Sequence, residues 1–313
     1  MALSLPQIET LQAIARAGSL VAAARAMHVT PAALTARLKA LEEALGVALF
    51  DRLPNGLRPN AAGAIALEGA ARIEDALRGF RERMEEVRTG RAGPLAVAAV
   101  STAKYFAPRL IAAFAQSHPD LDLRLTIGNR DEIVALVRGY DVDLALMGRP
   151  PGDMAVAHIA IGPHPYVIVG PPGHRLAARR DAPKAELAGE AFLFREAGSG
   201  SRALFDYFIG DLIAQRARGM ELGSNETIKQ AVMAGLGIAL LSAHTIAAEI
   251  ADGRLVRLDI VGLPIVRQWY AVHRTDRALS AAGLAFRNFA AAQGGAFLPH
   301  AGLAEPRDVS EMD

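Results

Sequence analysis

The stretch AGSLVAAARAMHVTPAALTARLKALEEALGVALFDR, residues 17–52, decides how the amino-terminal part of this chain is read. Gly18 ends one helix and Ser19 is a good N-cap for the next, predicted over Leu20–Met27. Thr30 caps a third helix with Pro31 at its first position, where a missing N–H costs nothing. That helix runs to Leu45 and stops at Gly46. Upstream, Leu5, Ile8, Leu11, Ile14 and Ala15 recur at steps of three and four, which marks an amphipathic helix. Two short helices joined by a turn of a few residues form a helix-turn-helix arrangement. Downstream, LFDRLPNGLRPN at 49–60 places Asn55-Gly56 between short strands, the signature of a tight hairpin that serves as a wing.

The third helix presents Thr30, Pro31, Ala32, Thr35, Ala36 and Lys39 on or near one face, with Leu34, Leu38 and Leu41 turned inward. Short hydroxyl and methyl groups in the first turns of a recognition helix suit base edges in the major groove of double-stranded DNA. Arg37 and Lys39, with Arg52 and Arg58 on the wing, suit phosphates. Arg16, Arg25, Arg37, Lys39, Arg52 and Arg58 face only Glu9, Glu42, Glu43 and Asp51 up to Asn60, a small basic excess. An ordinary small bundle with solvating arginines fits that composition as well. The order of helix, turn, helix, hairpin and long helix is what favours DNA binding.

Residues 61–89 read as one long helix. Ala66, Ala70, Ile73, Leu77, Phe80, Met84 and Val87 alternate steps of four and three, the seam of a coiled coil. A helix packed on its own domain is one reading, and a dimerisation helix is favoured because so narrow a seam suits one partner helix. Residues 90–94 then form a hinge. The net charge of the whole chain is +1, so any DNA contact relies on a local basic surface.

From residue 95 to 295, strand and helix patterns alternate, which predicts an α/β domain with helices flanking a largely parallel sheet. Predicted strands are 95–100, 122–128, 144–147, 166–169, 192–194, 238–241 and 268–272. Two groups of strands predict two subdomains, 95–164 with 269–295 and 165–268, around a cleft. Residues 296–313 read as a flexible tail. Several strand ends open onto helix starts, where free N–H groups and hydroxyls suit an anion. Ser101 and Thr102 stand there beside Lys104, followed by Asn129 with Arg130, and then Arg149. REAGSGSR at 195–202 adds Ser199, Ser201 and Arg202, and Asn225, Glu226 and Thr227 open a further helix. Each of these residues could equally be a helix cap or a surface charge.

Other chemistries find little support. The chain has no cysteine, which removes disulfides, thiolate catalysis and Cys-based zinc sites, and its eight histidines form no HxxxH pair. No metal site or enzyme activity is expected. GSGSR lacks the spacing and lysine of a phosphate loop, and the glycines of GLGIAL read as a helix C-cap. No stretch approaches the roughly 18 apolar residues of a membrane helix, and the start lacks the basic n-region of a signal peptide. A cytoplasmic protein is expected, which leaves a cytoplasmic solute-binding protein as an alternative class.

The quoted segment at 17–52 resembles the signature of LysR-type transcriptional regulators, and so does SNETIKQAVMAGLGIALLS at 224–242. The likeness runs through the long helix and covers nearly the whole chain. It implies a winged helix-turn-helix, a linker helix and a two-subdomain domain like the type II periplasmic binding proteins. It also implies homodimers that pair into homotetramers, contact with RNA polymerase, and a small effector in the cleft touching Thr102 and Arg202. Pro31 stands where the family usually has a polar residue, with its proline one position later at Ala32, and arginine is common where Ala36 stands. These departures bear on the operator sequence. VSTAKYFAPRLIAAFAQSHPDLDLRLTIGNRDEIVALVRGYDVDLALMGRPP at 100–151 resembles one branch, the regulators of the Calvin-cycle operon encoding RuBisCO. That likeness implies CO2-fixation genes as targets, with phosphorylated metabolites or NADPH as effectors. No other cofactor is expected.

Overall fold

In the computed structural model, residues 3–54, 56–89, 93–216 and 218–300 are described. The chain divides into two compact units, 1–90 and 91–313.

Local chemistry sets the elements of the first unit. Helix α1, Leu5–Ala17, carries a proline in its first turn, and Gly18 closes it in the left-handed conformation. Helix α2, Leu20–Ala26, starts where the Ser19 hydroxyl accepts from the Ala22 N–H at 3.2 Å. Helix α3, Pro31–Leu45, starts where Thr30 does the same for Ala33, and Gly46 at φ +71° ends it. Ile8, Leu11, Ile14, Leu34, Leu38, Leu41, Leu49 and Phe50 close one core beneath these helices. The wing pairs β1, Phe50–Leu53, antiparallel with β2, Gly56–Pro59. Asn55 lies outside the described residues. The hairpin is pinned to the turn after α1, since the Leu57 N–H donates to the Gly18 carbonyl at 2.8 Å. A Cβ on Gly56 would stand 2.2 Å from that same oxygen, so only glycine lets the wing approach so closely.

Helix α4, Ala61–Thr89, begins against the same core, where Ala66, Leu67 and Ala70 pack. A Cβ on Gly63 would lie 2.0 Å from the Leu49 carbonyl oxygen, so the helix touches backbone at that point. Further along, Ile73, Phe80 and Met84 are exposed apolar side chains at the predicted seam spacing. The Val87 side chain lies outside the described residues, as do Gly90, Arg91 and Ala92 of the predicted hinge.

The second unit contains β3 (Leu95–Val100), α5 (Ala107–Gln116), β4 (Leu123–Gly128), α6 (Arg130–Arg138), β5 (Leu144–Met147) and β6 (Val156–Gly170). There follow β7 (Ala191–Arg195), α7 (Gly200–Arg216), β8 (Arg218–Leu222), α8 (Asn225–Met233) and β9 (Ala239–Ser242). The last elements are α9 (Ala247–Ala251), β10 (Val256–Leu258), β11 (Ile265–Arg274) and α10 (Ala281–Gln293). The main sheet has the order β10-β6-β11-β5-β3-β4, with β9 also pairing β6. It is more mixed than the sequence predicts. Strand β3 runs parallel to β4 and β5, whereas the long strands β6 and β11 run antiparallel to each other along most of their length.

Those two long strands pass through more than one core. Ile161 of β6 and Trp269 of β11 belong to a core with Val97, Phe106, Phe114 and Phe286. Farther along β6, Tyr166 and Ile168 enter a second core with Phe192, Phe205 and Leu240. The alternate residues Val167 and Val169 enter a third with Ile228, Val232 and Leu241. Period-two alternation thus buries both faces of one strand. The tail also differs from expectation in its first residues. Gly294–Phe297 form a 3-10 turn, Leu298 is buried in the first core, and Arg109 donates to the Phe297 carbonyl at 2.9 Å. Residues 301–313 lie outside the described residues.

Candidate functional site

The face of α3 that sequence reading assigns to DNA is open. Thr30, Pro31, Ala32, Thr35, Ala36 and Lys39 are exposed and Arg37 is half-buried, while Leu34, Leu38 and Leu41 anchor the other side. Thr35 returns its hydroxyl hydrogen to the Pro31 carbonyl at 2.8 Å, which leaves its oxygen lone pairs and its methyl outward. Lys39 lies 3.6 Å from Glu43, in a highly exposed and therefore weak ion pair. On the wing, Arg52 and Arg58 are both exposed, with Asp51 opposite Arg58 in the ladder.

The second unit holds a small cavity of about 40 Å³ at the carboxyl ends of β3 and β5. Ser101, Thr102, Arg130, Arg149, Ser199, Gly200 and Ser201 line it, as the sequence leads one to expect, together with Val100, Met147, Gly148, His164, Tyr166 and Arg267. A depression of about 450 Å³ shares Arg130, Arg149, Ser199, Gly200 and Arg267 with it and adds Arg202 and Asp206.

Two helix starts are brought together to build it. Asn129 caps α6 by accepting from the Glu132 N–H at 3.0 Å, and the Asp131 N–H donates to the Gly198 carbonyl at 3.2 Å. Gly198 has φ +84°, and a Cβ there would stand 2.8 Å from an Asp131 carboxylate oxygen. The loop before α7 can therefore lie against the start of α6, which sets Arg130 beside Ser199 and Gly200.

The guanidinium groups differ in their commitments. Arg149 and Arg267 have no ion pair among the described residues. Arg130 lies 3.7 Å from Asp131 and has a buried Nε without a hydrogen-bond partner. Arg202, by contrast, is fully engaged. Its Nε donates to Asp206 at 2.9 Å, its Nη1 to Glu221 at 2.9 Å, and its plane lies 4.5 Å from the Phe194 ring centre. It borders only the outer depression. Burial pushes the Tyr166 phenol up to about 12, against the hydrogen bond it makes with Ser201, so Tyr166 itself is neutral.

Lys104, Asn129, Asn225, Glu226 and Thr227 line neither space and engage local partners instead. Lys104 stands over the Tyr105 ring, and the Thr227 N–H and hydroxyl pair with Ser224. Glu226 pairs with Lys229 at 2.9 Å. The Asn225 carbonyl accepts from Arg195 at 3.0 Å, in a buried cluster where Arg195 also reaches Ser101 and binds both oxygens of Glu196. Sequence reading missed Arg195, His164, Tyr166 and Arg267. Arg195 carries a readable signal, an arginine that closes the apolar run AFLFR of β7.

Residues 5–64 match the bacterial regulatory helix-turn-helix protein of the lysR family, and residues 88–295 match the LysR substrate binding domain. The chain is 46% identical over 297 residues to the HTH-type transcriptional regulator CbbR of Sinorhizobium medicae, covering 95% of each chain. It is 39% identical over 289 residues to a RuBisCO operon transcriptional regulator of Allochromatium vinosum, covering 92% of this chain and 96% of that one. Among solved structures, the Synechocystis PCC6803 CcmR regulatory domain in complex with 2-PG is 35% identical with a TM-score of 0.61, covering 64% of this chain and 96% of that one. A helix-turn-helix with its reading face open, followed by an α/β domain that matches the family over its length, leaves one assignment: the chain belongs to the LysR family of bacterial DNA-binding transcriptional regulators.

Proposed function

We propose that this regulator controls genes for RuBisCO-dependent CO2 fixation and that a small phosphorylated metabolite, held in the cavity of the second unit, governs it. The observation that carries the effector class is the convergence of Arg130, Arg149 and Arg267 on one cavity with the hydroxyls of Ser101, Thr102, Ser199 and Ser201. Guanidinium groups and hydroxyls are a phosphate-binding set, through charge-assisted and often bidentate hydrogen bonds. The inner space of about 40 Å³ suits a single anionic group, and the outer depression of about 450 Å³ receives the rest of the molecule. The similarity to named RuBisCO operon regulators supports the choice of target genes.

The remaining parts follow in the cytoplasm. Two copies pair through the exposed seam of α4, and two such dimers form a tetramer through their second units. Paired helix-turn-helix units straddle a pseudo-palindromic promoter site. Lobes 95–164 with 269–295 and 165–268 close on the effector, which changes DNA bending and contact with RNA polymerase. The effector does this only by binding the two arrangements with different affinity.

Calorimetric titration of ribulose bisphosphate and phosphoglycolate into the full chain tests the effector class. Arg267→Ala is expected to weaken binding about tenfold or more, the loss of one charge-assisted hydrogen bond. Arg202→Ala is expected to leave it within about threefold, because that guanidinium is held by Asp206 and Glu221. The opposite ranking overturns the assignment of the anion to the inner cavity.

A further inference from the structure

We propose that His164 is a specificity-determining residue of this cavity and that its Nδ1 hydrogen-bonds a hydroxyl group the effector carries beside its phosphate; this rests on the phosphate reading above. His164 lines the cavity together with the three arginines, yet it is only 1% exposed. Its Nε2 is satisfied by the Ser242 hydroxyl at 3.0 Å. Its Nδ1 is buried with no hydrogen-bond partner among the described residues. Leaving such a nitrogen unpaired is costly, so a buried polar atom ordinarily has a partner.

Packing alone does not account for the imidazole. The ring stacks on Trp269 at 3.8 Å with 14° between planes, and Tyr166 lies beside it at 4.5 Å. A phenylalanine fills that stack equally well and brings no orphaned nitrogen. The stack and the Ser242 bond instead fix the ring plane, and with it the direction of Nδ1. Trp269 is itself anchored, its indole N–H donating to His244 at 3.0 Å. Gly148, also on the cavity wall, is the neighbour that packs beside Nδ1: a Cβ there would stand 2.8 Å from it.

The ring is not a fourth cation. Burial above all, and then the nearby His244 and Arg267, hold its pKa well below the ordinary imidazole range. A neutral imidazole of this kind suits a neutral polar group such as an alcohol. The arginines take the phosphate and His164 reads what is attached to it. Sites that hydrogen-bond a hydroxyl discriminate strongly against analogues lacking it, because the buried partner is then left unpaired.

The test is calorimetry on the full chain with two hydroxyl-bearing probes, ribulose bisphosphate and phosphoglycerate, and one hydroxyl-free probe, phosphoglycolate. His164→Phe keeps the stack and removes Nδ1. It is expected to lower affinity for at least one hydroxyl-bearing probe about tenfold while phosphoglycolate changes less than about twofold. His164→Asn, whose amide reaches the Nδ1 position, is expected to restore part of that preference. Gly148→Ala, which leaves His164 in place and crowds Nδ1, is expected to reproduce the loss. Because the readout is a ratio between probes, general destabilisation does not mimic it. Equal losses for all probes, no loss in His164→Phe, or a wild-type chain that binds only phosphoglycolate each overturn the role of His164 and leave the phosphate reading standing. A wild-type chain that binds none of the three overturns both.

Discussion

His164 stacks on Trp269 and His244 accepts the indole N–H, both buried, and burial holds both imidazoles below their ordinary range, His244 at about 4. The unfolded chain takes up these protons near pH 6.5 and the folded chain does not. Stability is therefore complete above pH 6.5 and falls as pH drops toward 4. For His244 alone the loss between pH 7 and 5 is about 2 kcal/mol, with His164 adding in the same direction. Glu226 and Asp276 are held below the usual carboxylate range by hydrogen bonds from Lys229 and Arg274, so their losses fall at lower pH. Urea denaturation at pH 7 and 5 checks this: His244→Gln, which keeps an acceptor for Trp269, should flatten the dependence, and an unchanged slope contradicts it. At this scale the cavity was half legible. Ser101, Thr102, Arg130 and Arg149 were found because they follow strand ends, and position along the chain reveals that. His164, Tyr166 and Arg267 sit inside strands, where the face a side chain takes depends on register with strands far away in sequence. Arg202 drew notice for its place in a loop-to-helix motif, and nothing local revealed that Glu221 holds it.

Helix α4 divides its apolar seam between two surroundings. Ala66 and Ala70 belong to the core of their own domain, and the exposed Ile73, Phe80 and Met84 continue the seam beyond it. A single heptad pattern conceals that division, because small and large residues score alike as apolar. The two segments predict different failures. Phe80→Lys should shift the full chain from dimer or tetramer toward monomer in sedimentation with little loss of thermal stability. Gly63→Ala should destabilise the first unit by about 2 kcal/mol or more, since its Cβ meets the Leu49 carbonyl oxygen at 2.0 Å. Melting of both variants by circular dichroism separates the two; a Phe80→Lys chain that stays oligomeric removes the seam from the dimer interface. Among strands, the reading of β6 as 166–169 was too short, because Gly162, Pro163 and Pro165 look like breakers in isolation. Strands β8 and β10 were missed because they are short and carry charged residues, so periodicity gives them no voice.

On the scale of the whole molecule, two compact units match the two tasks proposed for this regulator, reading DNA through α3 and binding an anion beside β3 and β5. Their order along the chain was legible because caps, proline and glycine punctuate the first unit, while strand and helix alternation marks the second. The mixed sheet was not, because strand direction is fixed by long-range pairing rather than by composition. The proposed regulation requires that a phosphorylated effector act on DNA binding through the arginines of the second unit. The most direct measurement is a nuclease footprint on the intergenic DNA beside the chain's own gene, with and without ribulose bisphosphate, for wild type and Arg267→Ala. The wild-type footprint is expected to change with the effector, and the Arg267→Ala footprint, of similar affinity, to stay as it is. An Arg267→Ala footprint that responds as wild type does, or a wild-type footprint indifferent to phosphorylated metabolites, contradicts it.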